Sequence, residues 1–223
     1  MPDNPILALE DITFGYAGRG ALFTGLCFAL RQQEQIGLSG PNGSGKTTLL
    51  RLIMRLETPQ RGRVLFHGVP VDDRQSLHRL RCGIGFVLQN SDDQLFSPTV
   101  LEDVAFGPLN LGLKRQEAKD RAIETLESVG LAAYADRQTH RLSAGEKKMV
   151  SIASVLSMRP EALLLDEPTA FLDDDSRDKI IHILQQQNIT RIIVSHDKEF
   201  LEQTSSSFIC INNGVFENKF YKS

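Results

Sequence analysis

The run Gly40-Pro41-Asn42-Gly43-Ser44-Gly45-Lys46-Thr47 constrains this chain more than any other feature. It fits Gly-x-x-x-x-Gly-Lys-Thr, a loop whose backbone N–H groups wrap around phosphate oxygens. The glycines let successive N–H groups turn inward. Such a loop needs a strand before it and a helix after it, whose positive N-terminal end adds to the anion site. Both flanks are present: Glu34 to Leu38 reads as a strand, and 46–56 as a helix that stops ahead of Pro59. Lys46 would supply a point charge to the β- and γ-phosphates, and the Thr47 hydroxyl a ligand for Mg²⁺. With Asn42, Gly43, Ser44, Gly45 and Thr48 they form the candidate nucleotide-binding set. The competing interpretation, a plain Gly-rich turn, gives no reason for this strand–loop–helix setting.

Around the loop, strands alternate with helices. Residues 6–12 and 22–30 read as strands joined through a Gly-rich turn at 15–20, followed by short strands at 64–66 and 83–88. From 92 to 157 the pattern turns helical: Ala118, Ala122, Leu126 and Val129 share one helical spacing, and Val150, Ala153 and Leu156 another. Strand signals return at 162–166, 190–195 and 207–211, separated by helices at 176–187 and 197–204. Strands alternating with helices around a nucleotide loop imply an α/β fold with a parallel sheet. The expected organisation is one domain, 1–223, with a core lobe of about 1–90 and 158–223 and a helical lobe of about 91–157 inserted between core strands. The short stretch after His196 predicts no further regulatory domain.

Composition narrows the class. A chain of 223 residues with 41 % hydrophobic and 24 % charged residues can bury its own core without disulfides or metals. A formal net charge of −3 argues against nucleic acid as a partner. Cys27, Cys82 and Cys210 are odd in number and far apart, which predicts buried free thiols in a reducing cytosol. No apolar run approaches the about 18 residues that cross a bilayer. Met1-Pro2-Asp3-Asn4 lacks the basic and apolar regions of a leader. Work at a membrane would therefore need another chain as anchor. His67, His78, His140 and His182 show no ligand spacing and Cys82 stands alone, so no protein metal site is expected.

Two further motifs carry chemistry. Ala162-Leu163-Leu164-Leu165 reads as a strand buried on both faces that delivers Asp166 and Glu167 at its carboxyl end, where open α/β sheets bind ligands. Asp166 would hold Mg²⁺ through water, and Glu167 would polarise an attacking water as general base. The bland alternative is an acidic turn after a strand. Leu142-Ser143-Ala144-Gly145-Glu146 opens an apolar-periodic helix as a capping box, with Ser143 capping and Glu146 returning the bond. A capped N-terminus with a serine hydroxyl is also an anion site.

In order, the phosphate loop, Leu142–Glu146, Ala162–Glu167 and Ser195-His196-Asp197 resemble the ATP-binding-cassette (ABC) ATPases over nearly the whole chain. The resemblance implies a P-loop NTPase cassette: a RecA-like parallel-sheet core, an N-terminal antiparallel β subdomain and the inserted helical lobe. It implies that Ser143, Gly145 and Glu146 reach ATP held by a second subunit, so that a homodimer, or a heterodimer with another ABC ATPase, sandwiches the nucleotide. The usual segment is Leu-Ser-Gly-Gly-Gln. Here Ala144 replaces Gly, and Glu146 replaces Gln and brings a carboxylate toward the partner's ATP unless it folds back on its own helix, as capping predicts. His196 resembles the switch histidine beside the γ-phosphate, Gln89 the glutamine that senses Mg²⁺ and joins the lobes, and Asp173 the residue at the dimer seam. Asp174 and Asp175 serve equally as favourable charges at a helix start. Tyr16, in Phe14-Gly15-Tyr16, resembles the aromatic that stacks on adenine; alternation with Ile12 points Phe14 inward and frees Tyr16.

The stretches Ser91–Val100 and Glu102–Leu113, with the tail Glu146-Lys147-Lys148, resemble the ATPase subunits of energy-coupling-factor (ECF) transporters, particularly the cobalt/nickel type. Phe96, Val100, Val104 and Phe106 would offer an apolar groove to a partner helix, or serve only as helical-lobe core. The resemblance implies an ATPase peripheral to the cytoplasmic face of the membrane, partnered by a transmembrane coupling subunit and a substrate-binding membrane subunit. ATP and Mg²⁺ would be held with Thr47, Gln89 and Asp166 at the metal, and Glu167, His196 and Gln89 at the chemistry. An ECF ATPase for a vitamin stays open. A soluble cassette protein of translation or DNA repair would need a second cassette, a basic surface or a long heptad insertion, and a non-hydrolysing scaffold would lack Glu167 or His196.

Overall fold

The computed structural model describes residues 5–221; Met1 to Asn4, read above for a leader, lie outside them. Two sheets organise the chain. The first, antiparallel, takes β1 (Leu7–Phe14), β2 (Phe23–Leu30), β4 (Arg61–Phe66) and β5 (Val69–Pro70) in the order β2-β1-β4-β5. The second has six strands, β10-β9-β3-β8-β7-β6, comprising β3 (Gln35–Ser39), β6 (Ile84–Val87), β7 (Ala162–Asp166), β8 (Thr190–Val194), β9 (Ser207–Asn212) and β10 (Val215–Tyr221). Its first five strands in chain order run parallel, and β10 turns back along β9.

Strand periodicity divides the interior. Along β7, Ala162 and Leu164 join the core packed against the first sheet, while Leu163 and Leu165 join the core packed against helices. On β8, Ile192 and Val194 take the first side and Ile193 the second. All five residues of β7 are buried, as an apolar strand covered on both faces must be. Helix α1 (Lys46–Ile53) sits in the first core. Helices α3 (Val100–Asn110), α4 (Arg115–Ser128), α5 (Ala144–Leu156), α6 (Asp174–Gln186) and α7 (Lys198–Thr204) surround the second.

Several expectations need correction. α2 (Arg74–Gly83) occupies a stretch the sequence reading left blank, and the strand expected at 83–88 covers only 84–87. α2 is polar and buries only Ser76 and Leu80, so periodicity is faint; its signal is the Asp73–Ser76 capping box. α1 stops at Ile53 because Arg55 takes φ 52°. The cysteines are not buried: Cys27 is exposed on edge strand β2, and Cys82 and Cys210 are half-buried. Cys82 is not alone either, since its Sγ lies 3.5 Å from His78 Nε2 one turn back on α2. Of the expected apolar groove, Val100 and Val104 are fully buried core, whereas Phe96 and Phe106 face outward in an edge-to-face pair with centroids 4.6 Å apart. Positions 100 and 104 share one helix face; 106 lies on the other.

Among the described residues, no helix is long and apolar enough to cross a membrane, and no three His, Cys, Asp or Glu side chains are grouped to hold a metal ion.

Candidate functional site

Because β3, β8, β7 and β6 are parallel neighbours, their carboxyl ends share one edge. The phosphate loop leaves β3, Asp166 and Glu167 end β7, Ser195 and His196 follow β8, and Gln89 follows β6. A cleft of about 850 Å³ opens there, lined by Tyr16, Asn42, Gly43, Gly45, Lys46, Thr47, Thr48, Gln89, Glu167 and His196. Ser44 and Asp166 lie just beneath it, 4 % and 2 % exposed. Ser143, Gly145 and Glu146 are not part of the cleft; they open α5, with Ser143 exposed and Gly145 buried.

The floor is built for an anion. Gly45 caps α1 with φ 108° and no side-chain bond, which leaves the first N–H groups of the helix to a ligand. A Cβ at Gly45 would also sit 2.7 Å from the Phe23 ring. Lys46 Nζ donates to the carbonyls of Gly40 and Pro41 at 2.8 and 2.9 Å and has no ion-pair partner among the described residues. Burial lowers its pKa, against the pull of Glu167 and Asp166. The buried Ser44 hydroxyl has no hydrogen-bond partner among the described residues.

A divalent cation also fits. Thr47 Oγ1 donates to Asp166 Oδ1 at 3.1 Å, pairing a hydroxyl with a carboxylate that has no ion pair among the described residues. Burial pushes the Asp166 carboxyl above the usual range, opposed by the Thr47 bond and then by Lys148 and Lys46. Hard oxygen donors from a hydroxyl, a carboxylate and the Gln89 amide suit Mg²⁺.

Glu167 takes φ 46°, a strained placement for a non-glycine residue, with its N–H bonded to the Val194 carbonyl at 2.9 Å. Its Oε2 accepts from the His196 N–H at 3.3 Å. Oε1 lies 3.3 Å from His196 Nε2 but is not aligned for a hydrogen bond, so this buried oxygen has no hydrogen-bond partner among the described residues. Burial raises the Glu167 pKa and the neighbouring His196 moderates the rise. A carboxyl with a raised pKa on a residue that lines the cleft suits proton transfer. Behind His196, Arg177 Nε donates to Asp197 Oδ2 at 2.7 Å, and this bond, more than any other cause, holds the Asp197 pKa low.

Tyr16 stands at the rim, 37 % exposed, while Phe14 is 5 % exposed; their rings meet edge to face at 5.0 Å, and the Tyr16 hydroxyl lies 3.2 Å from Thr48 Oγ1. Phe14 therefore faces inward and Tyr16 outward, as expected, but Tyr16 is freed because β1 ends at Phe14; continued alternation would have buried it on the same face. At α5, Ser143 Oγ accepts from the Glu146 N–H and Glu146 Oε2 accepts from the Ser143 N–H at 2.8 Å. Arg137 donates to Glu146 Oε1 at 3.1 Å. These contacts, led by the Ser143 N–H, hold the Glu146 pKa low and fold the carboxylate back on its own helix, as capping predicted. Asp173 caps α6 through the Ser176 N–H at 2.8 Å.

Beyond the place of Lys148 in the Glu146-Lys147-Lys148 tail, the sequence gives no role to Lys148, Arg177 or Phe171. Lys148 is 3 % exposed and burial lowers its pKa to about 8. Its signal was available: 148, 152 and 155 share the buried face of α5. Phe171, with φ 63°, is 97 % exposed at the cleft wall.

Comparison with known proteins follows the same lines. The family model described as ABC transporter matches residues 23–170. This chain belongs to the ABC transporter family. Its fold is that of the ABC cassette among P-loop NTPases. A putative ABC transporter ATP-binding protein of Nitratidesulfovibrio vulgaris is 52 % identical over 95 % of this chain and 78 % of its own length. The energy-coupling factor transporter ATP-binding protein EcfA of Methanothermobacter thermautotrophicus is 42 % identical over 94 % and 68 %. The cobalt import ATP-binding protein CbiO of Rhodobacter capsulatus is 44 % identical over 88 % and 71 %. Among solved structures, cbiO1 of Clostridium perfringens, part of the ABC transporter complex cbiONQ, superposes with a TM-score of 0.87 at 34 % identity, covering 98 % of this chain and 89 % of that one. The cassette MJ0796, in a dimeric post-hydrolysis state bound to ADP and Pi, superposes at 0.85 with 27 % identity, covering 96 % and 98 %.

Proposed function

We propose that this chain is the ATP-binding and ATP-hydrolysing subunit of an ECF-type importer, with cobalt or nickel ions as cargo, working at the cytoplasmic face of the membrane. The observation that carries the ATPase reading is the convergence of Lys46, Thr47 with Asp166, Gln89, Glu167 and His196 at one edge of a parallel sheet. The transport reading is supported by relatives named EcfA and CbiO.

ATP enters with adenine on Tyr16 and its phosphates on the loop N–H groups and Lys46. Mg²⁺, when bound, neutralises charge that develops on the phosphate oxygens. Thr47, Gln89 and Asp166 would hold it. Glu167 takes a proton from the attacking water, and the His196 imidazole orients that water at the γ-phosphate. Two copies, or this chain and a second ABC ATPase, close head to tail, with Ser143, Gly145 and Glu146 of each reaching the ATP of the other. Since Glu146 is held by Ser143 and Arg137, its charge does not confront the incoming polyanion alone. The helical lobe, about 91–157, turns against the core on closure. Transport work comes from the different stabilities of open and closed dimers with ATP and ADP. A transmembrane coupling subunit receives that motion, and a substrate-binding membrane subunit takes the cargo.

The relatives named EcfA carry no solute in their names, which keeps an ECF ATPase for another solute as the second reading. Co-expression with membrane subunits of an ECF importer, followed by uptake of ⁵⁷Co²⁺ and ⁶³Ni²⁺, separates the two. Uptake that stops with Glu167→Gln is expected; ATP-dependent uptake of a vitamin with no metal uptake would replace the cargo assignment.

A further inference from the structure

Lys148 presents a buried charge that the proposed mechanism does not use. Its Nζ donates to the carbonyls of Leu88 and Gln89, both at 2.7 Å, and among the described residues it makes no ion pair. An ammonium buried against neutral acceptors costs stability, and a site shaped for packing alone is served by an apolar side chain of similar volume. The two carbonyls lie where the chain leaves the sheet: β6 pairs with β7 up to Val87 opposite Leu165. Beyond Val87 the chain is bonded to α5 instead. The Leu88 N–H donates to Gln94 Oε1 at 3.0 Å, and Gln94 Nε2 in turn donates to the Ser151 carbonyl at 2.9 Å and Ser154 Oγ at 3.2 Å. Lys147 adds an ion pair to Asp92 at 2.6 Å.

We infer that Lys148 is a positioning residue that fixes the Gln89 main chain to α5, so that the place of Gln89 at the Mg²⁺ site is set by the helix that Ser143 caps. This rests on the reading of Gln89 as a Mg²⁺-side residue. Its consequence is that the element serving the partner's ATP and the residue serving this chain's own Mg²⁺ move together, with the pivot between Val87 and Leu88.

The test measures affinity for a fluorescent ATP analogue with and without Mg²⁺, in the Glu167→Gln background so that turnover plays no part. Lys148→Met is expected to cut the Mg²⁺-dependent gain in affinity by ~10-fold, the range seen when outer partners of a metal ligand are removed. Mg²⁺-free affinity should hold within about two-fold, since the phosphate loop is untouched. Lys148→Arg, which keeps charge and donors, should retain most of the gain. In a Gln89→Ala background Lys148→Met should have no further effect. The sign is informative, because Lys148 also acts on Asp166 through its charge. Removing that charge alone would draw Mg²⁺ closer and raise the gain. A rise, an unchanged gain, an equal loss with and without Mg²⁺, or full additivity with Gln89→Ala would each overturn the assignment. Lys148→Gln is read the same way if the Met variant does not fold. Absence of Mg²⁺-ATP binding with Lys148 and Gln89 both in place would instead overturn the reading of the cleft itself, and this inference with it.

Discussion

Single residues carry the chemistry, and several were legible before any coordinates. The inward turn of Phe14 follows from its two-residue spacing from Ile12, whereas Tyr16, which the same spacing would bury, faces outward because β1 ends at Phe14. The folded-back Glu146 follows from the three-residue spacing of a capping box. Lys148 was legible only as a position on the buried face of α5; its partners are backbone carbonyls, which sequence does not display. Glu167→Gln keeps the shape of the site but removes the proposed base. Steady-state ATP turnover should fall by about 10²–10⁴, the usual share of general-base catalysis. Turnover of the unmodified chain should fall as pH drops through the Glu167 pKa, which burial holds above the ordinary glutamate value of 4.5. The same shift bears on stability. The folded state holds this proton more tightly than the unfolded state, so the associated stability is present below 4.5 and is lost as pH rises through the folded-state pKa. Glu167→Gln should therefore melt higher than the parent at pH 7, with the gap closing toward pH 4, each ~1 kcal/mol appearing as about 2–4 °C in calorimetry.

At the scale of elements, α5 meets α6 through Gly145. A Cβ there would collide with the Ser176 hydroxyl and Cβ, at the first turn of the helix that Asp173 caps. Gly145→Ala should destabilise by ~1–3 kcal/mol through overpacking. Ser176→Gly in the same chain should recover most of that loss, and urea unfolding of the two single variants and the double variant would show it as non-additivity. Ser143→Ala removes a cap instead, and should cost about 1 kcal/mol by the same measurement. Of the elements, those with a buried apolar face were visible in sequence. α2 was not, since only Ser76 and Leu80 of its ten residues are buried. β5 was not either, because two residues show no period.

For the molecule as a whole, the order of motifs fixed the parallel sheet and the shared edge, because a phosphate loop, a carboxylate pair and a switch histidine must each end a strand. The division of the interior into two cores was less visible, since β7 reads as one continuous apolar run and only the sheet reveals which side each leucine serves. Ser143, Gly145 and Glu146 lie outside the cleft, so any contact they make with ATP needs a second subunit. Phe171, 97 % exposed at the cleft wall, points the same way. Phe171→Asp should weaken ATP-dependent dimerisation by at least ~10-fold, about 1.4 kcal/mol, in analytical ultracentrifugation, with monomer nucleotide binding preserved. The most direct measurement joins both halves of the account: ATP hydrolysis by the purified chain and by Glu167→Gln, with molar mass followed by light scattering in ATP–Mg²⁺ and in ADP–Mg²⁺. Turnover that depends on Glu167 is expected, with a dimer that forms in ATP, persists in Glu167→Gln and dissolves in ADP. Turnover undiminished in Glu167→Gln by a chain that stays monomeric in ATP would contradict this expectation.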